Sequence, residues 1–465
     1  MIRVTAFKDR TVAVFGLGAS GLATVRALEA GGARVAAWDD SEAGRKTAAD
    51  GGATLVDLSS ADWSAFAALV LAPGVPLTHP EPPWTVSKAK AAGVEVVGDV
   101  ELFFRERAAT SPQAPVVAIT GTNGKSTTTA LVAHILRSFG NDVQLGGNIG
   151  RAVLTLEPPA MDRIHVLELS SFQIDLAPGA EPTVAVLLNV TPDHIDRHGT
   201  IEHYAEVKSR LISSAEEMAV IGIDDEWGAR FATALERRGN PKVRRISVHT
   251  PVAPGIYAQD AKLYENGSAR ADLAGIATLR GVHNWQNAAA AIAAVEALPE
   301  TFHAGGDLQA ALRSFPGLAH RLEVVGRIGA VDFINDSKAT NADSTEKALA
   351  SFPGHIYWIL GGKPKAGGIT TLTAYFPRIA KAYLIGEATE EFATTLGENV
   401  AFERCGTLDV ATRSAAADAL SAGQAGSVVL LSPACASYDQ FRNFEIRGDA
   451  FKRLVADLAA EQAGR

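Results

Sequence analysis

Apolar, strand-like segments alternate with helix-like segments along the chain, and this alternation restricts the fold more than any other feature. The first cycle reads TVAVFGLG, then a helical pattern over residues 20–31, then the strand-like RVAAWDD. Comparable strand-like runs recur at PVVAIT, IHVLE and IYWILGG. Alternation of this kind is typical of layered folds in which helices cover mostly parallel sheets. We therefore predict an α/β fold.

The length of the chain predicts more than one domain. A chain of 465 residues exceeds what a single hydrophobic core usually serves. The strand and helix pattern lapses at RERAATSPQAP, which suggests a linker over residues 105–115, and again around SFPGLAHRLE. We predict three domains, over residues 1–103, 104–317 and 318–465.

Composition and charge exclude several classes of protein. The formal net charge of −9 argues against nucleic-acid binding, which requires a basic surface. The two cysteines, Cys405 and Cys435, are too few for a disulfide framework and suggest a reducing compartment. No apolar run reaches the roughly 18 residues of a membrane helix, and the opening MIRVTAFKDRTVAVFGLG does not resemble a signal peptide. We expect a cytoplasmic protein without membrane insertion.

A glycine-rich loop, TGTNGKST at residues 120–127, lies between a predicted strand and a predicted helix. Gly121 and Gly124 allow successive backbone N–H groups to surround an anion, and the helix N-terminus adds attraction for phosphate. Lys125 can reach the β- and γ-phosphates, while Ser126 or Thr127 can offer a hydroxyl to Mg²⁺. The general pattern has glycine where this chain has Ile119. The loop predicts ATP binding in the middle domain, through Gly121, Thr122, Asn123, Gly124, Lys125, Ser126 and Thr127.

Two further residues of the middle domain are candidates for holding Mg²⁺. Glu168 ends the strand IHVLE, where a carboxylate beside a phosphate loop commonly holds the metal. His194 follows the strand VAVLLNV and is adjacent to Asp193. On composition alone, Lys208 in HYAEVKSRL would be an ordinary solvated helix lysine.

The first domain contains a second glycine pattern that suggests a different chemistry. Gly16, Gly18 and Gly21 form G-x-G-x-x-G after a strand, and Asp39 ends the next strand. This is the dinucleotide-binding pattern, and it supports a nicotinamide-dependent oxidoreductase as an alternative function. The same turn also accepts the pyrophosphate of a UDP-sugar. No constellation for hydride transfer follows later in the chain.

Several motifs together resemble the Mur ligase family over essentially the whole chain. They are TGTNGKST, LELSSFQID, NVTPDHIDRHG, GVHNWQN, FINDSKATN and LLSPACASYDQFRNFEIRG. The resemblance implies three domains: a Rossmann-like domain for a UDP-sugar, a central P-loop ATPase domain and a Rossmann-like domain for an amino acid. Within the family, ACASYDQFRNFEIRG and FGLGASG favour the member that adds D-glutamate. The family's loop also lacks the first glycine of the general pattern.

The resemblance implies an activity and a set of ligands. UDP-N-acetylmuramoyl-L-alanine and D-glutamate would be joined by an amide in peptidoglycan synthesis, with ATP as energy source and two Mg²⁺ ions. The alanine carboxylate would become an acyl phosphate, which the amine of D-glutamate then attacks. The third domain would close onto the second to exclude water from this intermediate. We expect a monomer.

The resemblance also assigns roles to individual residues. Lys125, His194 and Lys208 would be catalytic, with Ser126, Glu168, His194 and carbamylated Lys208 as the metal site. Further ATP contacts would come from Asn287 (or Asn284), Arg321, Asp336 and Lys338. The UDP-sugar would contact Ala19, Ser20, Asp39, Asp40 and Asn148. D-Glutamate would contact Thr340, Lys365, Ser437 and Phe444. Because GGKPKAGG has Pro364 where an acidic residue is frequent, Lys363 remains the alternative to Lys365.

Three other functions remain open from the sequence. A different amide ligase of this family, or a folylpolyglutamate-type ligase, shares the motifs of the middle domain. The nicotinamide-dependent enzyme follows from the first glycine pattern. A binding-only or regulatory ATPase would follow if the metal ligands did not converge.

Overall fold

The computed structural model describes residues 1–365 and 367–463, which form α/β layers as predicted. The chain divides into two compact units. The first unit comprises Met1–Ala274 and Asn284–Phe315, and the second comprises Gly275–His283 and the chain from Pro316 onward. These two units do not test the predicted domain boundaries after residues 103 and 317, which remain predictions.

The first sheet opens the first unit. Its strands are all parallel and lie in the order β2-β1-β3-β4. The strands are apolar and largely buried, as expected for a parallel sheet covered by helices. The elements are β1 (Thr11–Phe15), α1 (Ala19–Ala30), β2 (Arg34–Trp38), α2 (Glu42–Asp50), β3 (Ala68–Leu71), α3 (Trp84–Ala91), β4 (Glu95–Val97) and α4 (Asp99–Thr110).

The second sheet, also in the first unit, begins with β5 (Val116–Thr120), whose five residues are all buried. It continues through α5 (Lys125–Ser138), β6 (Asp142–Gly147), β7 (Arg163–Glu168), α6 (Ser171–Asp175), β8 (Val184–Leu187), α7 (Ile195–His198), α8 (Ile201–Ser213), β9 (Met218–Gly222), α9 (Glu226–Arg238), β10 (Lys242–Ser247), β11 (Gly255–Gln259), β12 (Lys262–Glu265), β13 (Ser268–Asp272), α10 (Val282–Glu296) and α11 (Leu308–Arg313).

The strand order of this sheet is β13-β12-β11-β10-β9-β8-β5-β7-β6. Strand β5 is parallel to both its neighbours, β7 and β8, and the order reverses around it. Ligands of open α/β sheets bind outside the carboxyl ends of the strands at such a reversal. The loop that follows β5 therefore lies where a ligand site is expected.

The third sheet lies in the second unit and has the order β14-β15-β19-β16-β17-β18. The β14–β15 pair is antiparallel, and the other pairs are parallel. The elements are β14 (Glu323–Ile328), β15 (Val331–Asn335), α12 (Ala342–Ala350), β16 (Ile356–Gly361), β17 (Ile379–Ile385), α13 (Thr389–Leu396), β18 (Phe402–Gly406), α14 (Leu408–Ala422), β19 (Val428–Leu431) and α15 (Phe444–Ala463).

The predicted linker over residues 105–115 is partly wrong, because α4 continues to Thr110. Phe103 and Phe104 are buried in the core of the first unit. The guanidinium of Arg107 is also buried, where it donates to the carbonyl of Ala114 (2.8 Å) and to Glu216 (2.7 Å). This polar segment resembles a linker in the sequence alone, but tertiary packing keeps it helical. Within the described ranges, no helix is both long and apolar enough to cross a membrane.

Candidate functional site

The glycine-rich loop joins the end of β5 to the start of α5. Gly124 has a φ of +84°, in the left-handed region, and immediately precedes the helix. A β-carbon at this position would collide with the side chain of Asn287. The backbone conformation and the space around it both require glycine, and they leave the first N–H groups of α5 directed out of the helix N-terminus.

Lys125 folds back over the loop that precedes it. Its ammonium donates to the carbonyl oxygens of Gly121 (2.9 Å) and Thr122 (2.7 Å). Carbonyls bind an ammonium less strongly than phosphate oxygens do, because phosphate carries full charge. In this structure both of these bonds hold Lys125 against the loop through neutral acceptors, the carbonyls of Gly121 and Thr122.

The loop is held by the segment that follows β8. The N–H of Asn123 donates to the side-chain oxygen of Asn189 at 2.8 Å. The Thr122 hydroxyl accepts from the N–H of Thr191 at 3.0 Å and lies 3.2 Å from the Tyr204 hydroxyl. Apart from Tyr204, which lies on α8, these residues follow the neighbouring strands β5 and β8, so the sheet helps to fix the shape of the loop.

Glu168 ends β7, as predicted, and lies beside the loop because β7 pairs with β5. The residue is buried, and its Oε1 accepts from the Asn148 amide at 2.7 Å. Its Oε2 is buried and finds no hydrogen-bond partner among the residues that the structure describes. Leaving a buried carboxylate oxygen unsatisfied is unfavourable unless a ligand completes it. A divalent cation held by oxygen ligands would do so.

Lys208 is not a solvated helix lysine, since only 1% of it is exposed. Its Nζ donates to the Gly121 carbonyl (2.8 Å) and the Thr120 hydroxyl (3.2 Å), directly behind the loop. Burial, followed by the nearby charge of Lys125, lowers the pKa of Lys208 well below its usual value. A lowered pKa increases the neutral fraction of the amine, and the neutral form is the nucleophilic one.

His194 lies at the N-cap of α7 with a φ of +52°, in the left-handed region. Its Nε2 is 3.4 Å from the carboxylate of Asp193, and its ring contacts Phe172 at 5.0 Å between centroids. About half of its side chain is exposed. The ring is therefore available to an incoming ligand, in contrast to the buried Glu168 and Lys208.

Asn287 lies on α10 next to Gly124. Its Oδ1 accepts from the Thr128 hydroxyl (3.2 Å), and its Nδ2 donates to Asn284 (3.0 Å). Both asparagines are buried. The two side chains link α10 to the first turn of α5. Each asparagine that was predicted to contact adenine therefore also makes a hydrogen bond within the protein.

The glycine turn after β1 lies beside the acidic segment that follows β2. Asp39 accepts from the N–H of Leu17 (2.6 Å) and of Ser41 (2.8 Å), which fixes its carboxylate beside the turn. Asp40 accepts from the indole N–H of Trp84 at 3.3 Å. Ala19 begins α1, and the next residue, Ser20, lies at this helix N-terminus. The Leu17–Asp39 bond places the segment that holds Asp39 and Asp40 beside the turn that leads to Ala19 and Ser20.

Two residues near these sites were missed in the sequence. Asp99 is buried, accepts from the Ser20 hydroxyl at 2.5 Å, and has a pKa raised by burial. Tyr204 contacts the phosphate loop through Thr122, and Nζ of Lys208 lies 4.7 Å from its ring centre. Asp99 follows a strand end, which was the one signal available; nothing in its local sequence distinguishes Tyr204 from a core aromatic.

In the second unit, the loop after β15 carries part of the predicted ATP contacts. Asp336 is buried and accepts from the Ser432 hydroxyl at 2.8 Å and from the N–H of Leu322 at 3.2 Å. Burial raises the pKa of Asp336 to about 7, although the charge of Arg321 opposes that shift. Lys338 follows two residues later, with its ammonium 4.1 Å from the ring centre of Phe444. The fold therefore brings Arg321, Asp336 and Lys338 into one neighbourhood.

The positions predicted to contact D-glutamate follow the carboxyl ends of three adjacent strands. Thr340 follows β15, Ser437 follows β19, and Lys363 and Lys365 follow β16. Lys363 pairs with Ala436 through a backbone bond of 2.9 Å, which ties the last two loops together. Phe444 begins α15. Both lysines are exposed, so exposure does not choose between them.

Comparison with known sequences agrees with this arrangement. Residues 10–98 match the Mur ligase MurD-like N-terminal domain, residues 119–295 match the Mur ligase middle domain, and residues 320–435 match the Mur ligase glutamate ligase domain. The chain belongs to the Mur ligase family.

Curated Mur ligases resemble the chain over nearly its full length. The UDP-N-acetylmuramoylalanine–D-glutamate ligase of Nitrobacter winogradskyi is 60% identical, over 98% of this chain and 98% of that protein. Proteins of the same name from Agrobacterium fabrum and Brucella abortus are 58% and 57% identical over 98% of this chain, with 97% and 98% of those proteins covered.

Solved structures of other Mur ligases share the fold. The UDP-N-acetylmuramate–alanine ligase MurC of Thermotoga maritima matches with a TM-score of 0.55 and 16% identity, covering 98% of this chain and 100% of that one. The MurF ligase of the same organism, in complex with ADP, matches with a TM-score of 0.56 and 16% identity over 86% and 90% of the two chains. These similarities concern the fold alone.

Proposed function

We propose that this Mur ligase joins D-glutamate to UDP-N-acetylmuramoyl-L-alanine by an amide bond, with conversion of ATP to ADP and phosphate. The observation that carries the proposal is the 60% identity over nearly the whole of both chains to a ligase named for this product. The reaction belongs to peptidoglycan synthesis, for which we propose a cytoplasmic, monomeric enzyme.

The phosphate loop supplies the positive environment that the first step needs. The alanine carboxylate attacks the γ-phosphate of ATP, and ADP leaves to give an acyl phosphate. Both reactants are anions, so their approach is opposed by repulsion. We propose that Lys125 releases the carbonyls of Gly121 and Thr122 and donates to the phosphates, while N–H groups from Gly121 to Thr127 surround them.

We propose a magnesium site at Glu168. The unsatisfied Oε2 of Glu168, the exposed ring of His194 and the hydroxyl of Ser126 are the donors we propose, with carbamylated Lys208 as the fourth. Bound Mg²⁺, for which we propose two ions, would neutralise charge on the triphosphate and on the developing acyl phosphate. Asn148 would orient Glu168 through the 2.7 Å bond and also contact the UDP-sugar.

We propose that carbamylation of Lys208 explains why this lysine is buried with a lowered pKa. The lone pair of Nζ attacks CO₂, a nitrogen–carbon bond forms, and one proton is released. The product is a carboxylate in place of a cation, which suits a site that holds metal ions. The depressed pKa favours this reaction because only the neutral amine is nucleophilic.

The second step places an amine beside the acyl phosphate. The neutral amine of D-glutamate attacks the acyl carbon, the tetrahedral species collapses, and phosphate leaves with the bonding electrons. We propose that Thr340, Lys365 (or Lys363), Ser437 and Phe444 bind D-glutamate. A lysine on the loop after β16 is the expected partner of a carboxylate.

The remaining ligand contacts follow the same assignment. We propose that Arg321, Asp336 and Lys338 contact ATP, and that Asn287 or Asn284 contacts adenine. We propose Ala19, Ser20, Asp39 and Asp40 for the UDP-sugar, because the turn and the helix N-terminus that hold them accept a pyrophosphate.

Phosphate release from ATP tests the proposal. With UDP-N-acetylmuramoyl-L-alanine present, we expect sustained release only when D-glutamate is added, because the acyl phosphate otherwise has no acceptor. Release that requires a different amino acid would assign another ligase activity of the family. Release without either substrate would indicate a regulatory ATPase and contradict the proposal.

A further inference from the structure

Arg447 lies in the first turn of α15 and is among the largest side chains buried in the protein, with 1% of it exposed. In the described part of the chain its guanidinium forms no ion pair, and its hydrogen bonds go to a hydroxyl and two carbonyls. Burial lowers its pKa to about 10, which still leaves it charged at neutral pH. A buried cation without an anionic partner is unfavourable, so its position requires an explanation.

The guanidinium joins two loops of the second unit. Its Nε donates to the hydroxyl of Ser337 at 3.0 Å, and its Nη2 donates to the carbonyls of Ser337 (2.9 Å) and Cys435 (3.2 Å). Ser337 lies on the loop after β15, three residues before Thr340. Cys435 lies on the loop after β19, two residues before Ser437.

A third loop approaches the same group. Gly362, directly after β16, has a φ of +129°, and a β-carbon there would lie 3.2 Å from Arg447 Nη1. Nη1 is buried and, within residues 1–365 and 367–463, has no hydrogen-bond partner. Ser337 also donates to the carbonyl of Phe444 at 2.8 Å, which brings the start of α15 into the same arrangement. All the loops that carry the proposed D-glutamate contacts therefore meet at one guanidinium.

We propose that Arg447 is the positioning residue of the D-glutamate pocket. Its planar fork of donors fixes the loops after β15 and β19 in register, and its buried charge favours a ligand that carries two carboxylates. The inference rests on the proposed function, because it names the residue that assembles the pocket for that amino acid. Arg447 acts through Ser337, Cys435 and their neighbours, without contact to the reacting atoms.

Steady-state kinetics of the full chain test the inference, with Arg447→Met and Arg447→Lys as variants. The methionine removes the donors and the charge, whereas the lysine keeps the charge but cannot hold both loops. We expect the KM for D-glutamate to rise about 30-fold in Arg447→Met and about 5-fold in Arg447→Lys. The KM for UDP-N-acetylmuramoyl-L-alanine should stay within about 2-fold, because we assign that substrate to other residues.

Arg453→Met is the matched control, because Arg453 is on the same helix but exposed. It should retain the wild-type KM for D-glutamate. A merely structural role of Arg447 predicts a lower kcat and a lower melting temperature with an unchanged KM for D-glutamate, and this result would overturn the inference. If the methionine variant does not fold, the lysine variant decides by the same criterion.

The wild-type enzyme separates this inference from the proposed function. If it shows no ligation dependent on D-glutamate, the proposed function fails and the inference fails with it. If wild-type ligation is present but the KM for D-glutamate is unaffected in both Arg447 variants, only the inference fails.

Discussion

Glu168 and Lys208 are both buried, although ionisable groups are more stable in water. The carboxylate retains one unsatisfied oxygen, and the amine has a strongly lowered pKa. Such features cluster at functional sites because the protein tolerates their cost only where ligands complete them. Sequence motifs identified both residues, but burial, which makes their chemistry credible, depends on tertiary packing that a motif does not describe.

Lys208 provides the first prediction. In Lys208→Met we expect ligation to slow by about 100-fold or more, because the proposed carbamate is lost. Wild-type activity should fall in CO₂-depleted buffer and return on addition of bicarbonate. The exposed Lys242 supplies the control, since Lys242→Met should keep the wild-type rate. A wild-type rate in Lys208→Met, measured by phosphate release, would contradict the assignment.

Asp336 provides a prediction about pH. Its pKa is about 7 in the folded protein, against 3.8 for the usual carboxyl. The folded state therefore binds the proton more tightly, and this group's contribution to stability is lost as pH rises from about 4 to about 8. Asp336→Asn should lack that loss, so its stability relative to wild type should increase with pH by up to roughly 4 kcal/mol.

Urea denaturation of both proteins at pH 5 and pH 8 measures this effect. The midpoint of the variant, relative to wild type, should be higher at pH 8 than at pH 5. Asparagine keeps the shape of the side chain and can still accept from the N–H of Leu322, so packing should change little. If the difference between the midpoints of the two proteins were the same at pH 5 and pH 8, the pKa of Asp336 would not be raised.

At the scale of elements, the strand–loop–helix formed by β5, the glycine-rich loop and α5 is where local sequence and tertiary contacts agree best. Gly124 and Gly140 precede and follow α5, and both have positive φ. Only Gly124 would bring a β-carbon against another side chain, that of Asn287, whereas Gly140 faces open space.

This difference gives a matched pair of variants. Both Gly124→Ala and Gly140→Ala incur backbone strain of about 1 kcal/mol or more. Gly124→Ala should in addition displace Asn287 or the loop, so that ATP-dependent phosphate release falls at least about tenfold while Gly140→Ala stays near wild type. Equal activities in the two variants would show that the conformation at Gly124 is not required.

The elements were predictable where periodicity was strong and not where packing decides. The strands ending in Glu168 and preceding the glycine-rich loop follow from apolar runs bounded by turn residues. The last turns of α4 and the antiparallel pairs β11–β12 and β12–β13 were missed, because α4 reads as a linker and the strands are short and mixed in polarity. The role of Arg447 could not be read from FEIRG, since its partners come from distant loops.

At the scale of the whole molecule, the three sheets follow one another along the chain in the order of the three matched domains. A first sheet with a glycine turn, a second with a phosphate loop and a third with three convergent loops match the three Mur ligase domain families in sequence order. We propose that the reaction draws on all three, for the UDP-sugar, ATP and the amino acid respectively. Formation of the product therefore tests all three proposed binding sites at once, whereas a single binding measurement tests one.

Mass spectrometry of the product tests this account most directly. The purified full chain is incubated with ATP, Mg²⁺, UDP-N-acetylmuramoyl-L-alanine and either D-glutamate or L-glutamate, with Lys125→Ala as the inactive reference. We predict a nucleotide product heavier by one glutamyl residue with D-glutamate alone, and none with the variant. No adduct with D-glutamate, or an equal yield with L-glutamate, would contradict the central claim.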